Sequence, residues 1–238
     1  MNNGPTVARA FMQDFTRLYT ASGDDEVVFF PPALSLAAAL DGAGAGSRFR
    51  FGIQNIYSAD KGAFTGENSA PIAKDAGAEL VLVGHSERRH VFGETNVQAA
   101  AKCAAAERSG LTPLLCVGET MEQRDRGETE SVVTEQLRVG LSQLAQTAIT
   151  TSMVAYEPVW AIGTGKNATP GDAAQIHSVL RAVLSELIGD ASESVSILYG
   201  GSVTPSNVAQ LLAAANVDGV LVGGASIDVH SWLSICAA

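Results

Sequence analysis

Glu157 closes the apolar run Met153–Tyr156 and precedes Pro158, whose missing N–H prevents a strand from continuing. A carboxylate at a strand's exit is a candidate for proton transfer. The residues that follow, Ala161-Ile162-Gly163-Thr164-Gly165-Lys166, hold two glycines without a β-carbon restraint. Such a loop can change backbone conformation, and Gly163 can bring an N–H close to a ligand. An ordinary turn is the alternative for this segment alone.

A second candidate lies in Gly84-His85-Ser86-Glu87-Arg88-Arg89, directly after the apolar run Leu80–Val83. Helix-terminal N–H groups beside His85 favour the neutral imidazole, which can donate one N–H to a substrate oxygen. A histidine satisfied by local hydrogen bonds is the competing explanation. His90, His177 and His230 have no comparable setting and read as surface or helix-face residues. Two further strands end in glycine pairs, Tyr199-Gly200-Gly201-Ser202 and Val222-Gly223-Gly224-Ala225. On successive strands these pairs point to backbone N–H groups that cradle an anion such as phosphate.

The elements that must position these residues alternate. An opening helix is expected from Pro5 at an early helical position and from Val7, Phe11, Phe15 and Leu18 at helical spacing. Short apolar runs follow at 27–30, 49–53, 80–83, 113–117, 153–156, 195–199 and 219–222. Helical patterns separate them, including 129–144 and one opening at Thr169-Pro170-Gly171-Asp172, with Thr169 as N-cap and Pro170 at N1. Strands alternating with helices must be parallel and buried on both faces. The expected fold is α/β, with seven parallel strands and eight helices in one domain over 1–238. A closed barrel of this kind has eight strands, so counting leaves an open doubly wound sheet and a seven-stranded barrel both standing.

Composition narrows the class. The 238 residues are 46% hydrophobic and 17% charged, within the range of an ordinary globular domain. A net charge of −10 argues against nucleic acid, whose phosphates reward clustered Lys and Arg. It leaves room for a small phosphorylated ligand held by local N–H groups and a few cations. Neither a membrane-length apolar run nor a signal-peptide pattern is present, so the expectation is a cytoplasmic protein with no membrane partner. Cys103, Cys116 and Cys236 lack disulfide or zinc-ligand spacing and read as reduced core thiols.

Taken together, Gln54-Asn55, Lys61-Gly62-Ala63-Phe64-Thr65-Gly66-Glu67, the His85 motif, the Glu157 motif and both glycine pairs closely resemble the triosephosphate isomerase family, in order and spacing. The resemblance runs along the whole chain and implies a TIM (β/α) barrel that interconverts dihydroxyacetone phosphate and glyceraldehyde 3-phosphate through an enediolate, without cofactor or metal. It implies Glu157 as the base and His85 as the neutral electrophile. Gly163, Ser202, Gly223 and Gly224 are implied as backbone phosphate donors, and Cys116 as a packing residue near the base. The loop 54–69, with Thr65 near its tip, is implied to dock on a second subunit of a homodimer.

One motif of the family has no full counterpart. Its first strand carries Asn-Trp-Lys-Met-Asn, and Met1-Asn2 matches only the last two of these residues. The first strand and its lysine are therefore expected to be missing from the barrel, in agreement with the count of seven. Impaired turnover and a weakened dimer are the expected consequences, with a phosphate-ligand-binding homologue of little or no activity as the alternative function.

Overall fold

The computed structural model describes residues 2–20, 23, 25–162 and 168–238. Its strands are β1 (Val28–Phe29), β2 (Arg50–Ile53), β3 (Leu80–Val83), β4 (Thr112–Val117), β5 (Met153–Tyr156), β6 (Ser196–Tyr199) and β7 (Gly219–Val220). They form one sheet in chain order, each parallel to the next. The sheet curls into a half-barrel, and among the described residues β1 and β7 are its edges rather than partners.

Eight principal helices surround the sheet: α1 (Pro5–Leu18), α2 (Leu36–Ala43), α3 (Ala70–Asp75), α5 (Asn96–Arg108), α7 (Thr129–Leu141), α9 (Pro170–Ile188), α10 (Val208–Leu212) and α11 (Val229–Cys236). Three further ones, α4 (Ser86–His90), α6 (Met121–Asp125) and α8 (Gln146–Ile149), no longer than α10, lie in the connections on either side of β3, β4 and β5, so the described residues hold eleven α-helices rather than the expected eight. Helix α9 starts as expected. Thr169 accepts from the Asp172 N–H at 3.1 Å, Asp172 accepts from the Thr169 N–H at 2.9 Å, and Pro170 occupies the first turn.

The core has two layers because both faces of the sheet are covered. Between sheet and helices lie Phe15, Phe51, Val81, Leu115, Leu137, Leu180 and Ile197, among others, all almost fully buried. Inside the curl, Leu82, Leu114, Cys116 and Ala155 pack with Phe30, Met153, Leu198 and Leu221. Each such leucine contributes about 1.5–3 kcal/mol on leaving water. An aromatic cluster stands behind the β1 edge. Phe15 meets Phe29 edge-on at 5.0 Å and Phe49 at 5.2 Å, while Phe29 reaches Trp232 of α11 at 6.4 Å. The element after β7 is thereby tied to β1 by side chains instead of by a ladder.

Three expectations need correction. Val7 is 54% exposed, and the buried stripe of α1 is Ala8, Met12 and Phe15, a set whose spacing aims it at α2 and the aromatic cluster. His177 is not a surface residue: it is fully buried on α9, its Nδ1 is 2.8 Å from the Asn216 carbonyl, and its ring packs edge-on to Tyr156. The outer strands are also shorter than the runs 27–30 and 219–222, since each has a hydrogen-bonding neighbour on one side only. Among the described residues, no helix is long and apolar enough to cross a membrane.

Candidate active site

Glu157 leaves the end of β5 held from both sides. Its N–H donates to the Val117 carbonyl at 2.8 Å, and the Gly200 N–H donates to Tyr156 O at 2.7 Å. The carboxylate is nearly inaccessible and collects donors. Oε2 accepts from the Ser86 N–H at 2.9 Å, and Oε1 accepts from the Ser86 hydroxyl at 3.4 Å and lies 3.0 Å from His85 Nε2. Burial raises the Glu157 pKa, against the lowering effect of His85, Ser86 and the Cys116 thiol. A carboxylate made more basic by desolvation, yet still hydrogen-bonded, is suited to taking a proton from carbon.

The second candidate sits where expected. His85 caps the short helix α4, and its Nδ1 accepts from the Glu87 N–H at 3.3 Å. With Nδ1 used as an acceptor, the proton of a neutral imidazole belongs on Nε2, the nitrogen that faces Glu157. A substrate oxygen that takes over this N–H from Glu157 brings the carbon next to it within reach of the carboxylate. The structure therefore places His85 and Glu157, distant in sequence, in direct contact.

Gly84 sets the turn that presents His85. Its φ is +68°, in the left-handed region where a side chain is disfavoured, and its N–H donates to the Glu94 carboxylate at 3.0 Å. Glu94 is buried and also binds Arg88 and Lys102, and Lys102 reaches Asn55 Oδ1 at 2.7 Å. Arg89 is half-buried beside this turn. Its guanidinium donates to Gly84 O at 2.7 Å, Asn96 Oδ1 at 2.6 Å and Cys116 O at 3.1 Å. Glu94 and Lys102 carry no motif of their own in the sequence; their only signal is a charged residue close to an apolar helical stripe.

Cys116 is fully buried inside the curl, as a packing residue should be, and its thiol acts to lower the Glu157 pKa against the effect of burial. Burial pushes the thiol well above the usual cysteine range, so it stays neutral. We predict that Cys116→Ala moves the acid limb of the pH–rate profile to higher pH, because a group that stabilises the ionised carboxylate is lost. An unmoved limb would show that the contact has no electrostatic weight.

Beyond Glu157, the buried carboxylate of Glu119 accepts from Trp160 Nε1 at 2.7 Å and from the Tyr156 hydroxyl at 3.2 Å. Arg124 stacks over the Trp160 ring at 4.3 Å and donates to Asp172 at 2.8 Å. These contacts anchor the turn Val159–Ala161 that leads toward Gly163. Gly163 itself, with Lys166, lies outside the described residues.

Ser202, Gly223 and Gly224 follow β6 and β7 on the same end of the sheet as Glu157 and His85. A 3-10 turn, Gly224–Ile227, begins there and is closed by the Ser226 N–H on Gly223 O at 2.9 Å. Asn207 fixes the other loop by donating to Ser202 O at 3.0 Å and accepting from the Thr204 N–H at 2.8 Å. Among the described residues, the N–H groups of Ser202, Gly223 and Gly224 donate to no backbone carbonyl.

The family model for triosephosphate isomerase matches residues 1–238. The chain belongs to the triosephosphate isomerase family. Triosephosphate isomerase of Symbiobacterium thermophilum is 46% identical over 232 residues, covering 97% of this chain and 90% of the relative. That of Chlamydia muridarum is 44% identical over 236 residues, covering 99% and 87%. The crystal structure of triosephosphate isomerase from Bartonella henselae superposes with a TM-score of 0.89 at 37% identity, covering 99% of this chain and 94% of that one. The TIM-barrel fold that the resemblance implied is the family's fold, here with seven strands among the described residues.

Proposed function

We propose that the chain, acting as one domain over 1–238, interconverts dihydroxyacetone phosphate and D-glyceraldehyde 3-phosphate, with Glu157 as the base and His85 as the electrophile. The observation that carries this reading is the 3.0 Å contact between His85 Nε2 and Glu157 Oε1 at the C-terminal end of a parallel sheet. Glu157 takes a proton from the carbon beside the carbonyl and returns it to the neighbouring carbon. His85 donates Nε2–H to the oxygen that becomes negative, where a positioned donor is most effective. Ser202, Gly223 and Gly224 offer their N–H groups to the phosphate, with Gly163 contributed by the loop after Glu157. The family's activity and the basicity of a buried Glu157 support the same assignment.

The family's lysine has no counterpart beside His85 and Glu157 among the described residues. Lys74 Nζ is bound to Gly110 O at 2.9 Å, Lys102 is bound to Glu94 and Asn55, and Lys61 stands exposed on the 54–69 loop. A coupled assay with glyceraldehyde 3-phosphate should give saturable turnover that a Glu157→Gln variant loses. Saturable binding of a phosphorylated enediolate analogue with no turnover would favour a binding protein instead.

The same reading makes the protein a cytoplasmic homodimer. Phe64 packs on Tyr57 at 4.5 Å within the 54–69 loop yet remains 43% exposed, while Val91 and Phe92, just after the His85 helix, are more exposed still. Apolar surface of this kind is typical of a subunit interface. Sedimentation should show a dimer that dissociates on dilution; a monomer at every concentration would contradict it.

A further inference from the structure

Gln136 is a carboxamide on the apolar stripe of α7, buried among Val133, Leu137, Gly140 and Leu141. Its polar group does not seek solvent. Oε1 accepts from the Gly118 N–H at 2.7 Å and Nε2 donates to the Gly118 carbonyl at 3.1 Å, so one side chain satisfies both backbone groups of one residue.

The position of Gly118 explains why such a clamp is needed. Along a parallel strand, alternate residues direct their N–H and C=O groups to opposite neighbours. Val117 O accepts from Glu157 N at 2.8 Å and Glu119 O accepts from Val159 N at 3.1 Å, so these two face the segment carrying Glu157. Gly118 and Cys116 face the other way, toward β3. That strand ends at Val83 and turns away at Gly84. Where its ladder stops, side chains take over: Arg89 satisfies Cys116 O, and Gln136 satisfies Gly118.

Gly118 also sits against the base. A β-carbon placed on it would fall 1.8 Å from the Glu157 carbonyl oxygen and 3.3 Å from its Cα. Any shift of the Gly118 backbone is therefore passed directly to the backbone that carries the carboxylate.

We propose that Gln136 is a positioning residue for Glu157, standing in for the strand that β4 loses beyond Val83 and keeping 117–119 extended along the base-bearing segment. This rests on the assignment of Glu157 as the base. The interaction is invisible to a motif search because it joins a helix to a loop 18 residues earlier.

The test compares Gln136→Met, which keeps the volume and removes both hydrogen bonds, with Gln136→Glu, which keeps an acceptor for the Gly118 N–H only. Well below its unfolding temperature, Gln136→Met should lower kcat between tenfold and a hundredfold with KM within about twofold, as expected for a small displacement of a reacting group. Gln136→Glu should fall between it and the parent. Should Gln136→Met not fold, Gln136→Glu carries the comparison. A second readout needs no turnover: carboxyl-carbon NMR of Glu157 should show its titration midpoint moving down toward the ordinary carboxylate range as its enclosure loosens. A folded Gln136→Met with unchanged kcat and unchanged titration overturns the proposal. A parent chain without isomerase activity, but with a Glu157 titration that responds to Gln136, would refute the functional reading and leave the positioning role standing.

Discussion

Glu157→Gln is expected to remove isomerase activity by about a thousandfold or more, within the range a positioned base contributes, while leaving the fold intact. The amide fills the same volume and can still accept from the Ser86 N–H, so the loss is one of proton affinity alone. Glu157→Asp tests position separately. It keeps a base but withdraws it by one methylene, and a displacement near 1 Å costs about a hundredfold. Stability should move in the opposite direction. Burial raises the Glu157 pKa, so the folded protein binds a proton more tightly than the unfolded chain does. The contribution of this group is favourable below the unfolded pKa and is lost as pH rises through the raised folded value. Above that value the parent carries a buried charge that Glu157→Gln does not. The variant should thus be the more stable protein at neutral pH, with the difference shrinking as pH falls into the ordinary carboxylate range. Denaturant midpoints at several pH values check this, and a variant equally or less stable at neutral pH would count against it.

His85→Gln should lower kcat by about a hundredfold to a thousandfold, with a smaller change in KM, because the donor is needed most as charge develops on oxygen. The amide can place an N–H near the point held by Nε2, but it is a weaker acid than the imidazole and has no Nδ1 anchored on the Glu87 N–H to hold it there. A group that lowers the Glu157 pKa is removed at the same time, so the acid limb should shift to higher pH. A proportional rise in KM with kcat preserved would instead make His85 a ground-state binding residue.

Much of this arrangement is legible in the sequence, for definite reasons. The runs 80–83 and 153–156 coincide with β3 and β5, since an interior strand buried on both faces must be continuously apolar. Glu157, His85 and the paired glycines stand out because each interrupts or terminates such a run. Edge strands are harder. β1 and β7 retain two residues each, although 27–30 and 219–222 are as apolar as the interior strands, because apolarity records burial and not pairing. Phe30 and Leu221 illustrate the difference by packing inside the curl without belonging to a strand. Polar residues that act through others are harder still. Gln136, Glu94 and Arg89 are set by where backbone ladders end, and a linear pattern does not contain that information. His177 is misplaced by the same limit: its type suggests the surface, whereas the helix places it fully inside against Tyr156.

The most direct measurement incubates the chain with dihydroxyacetone phosphate in deuterium oxide and follows the product by proton NMR, beside Glu157→Gln. A carboxylate that carries the proton between carbons and exchanges with solvent should give glyceraldehyde 3-phosphate partly deuterated at carbon 2. The variant should give neither product nor deuterium above the uncatalysed rate. Equal product formation by the parent and Glu157→Gln would contradict the assignment of Glu157 as the base, and absence of product from the parent would contradict isomerisation by this chain.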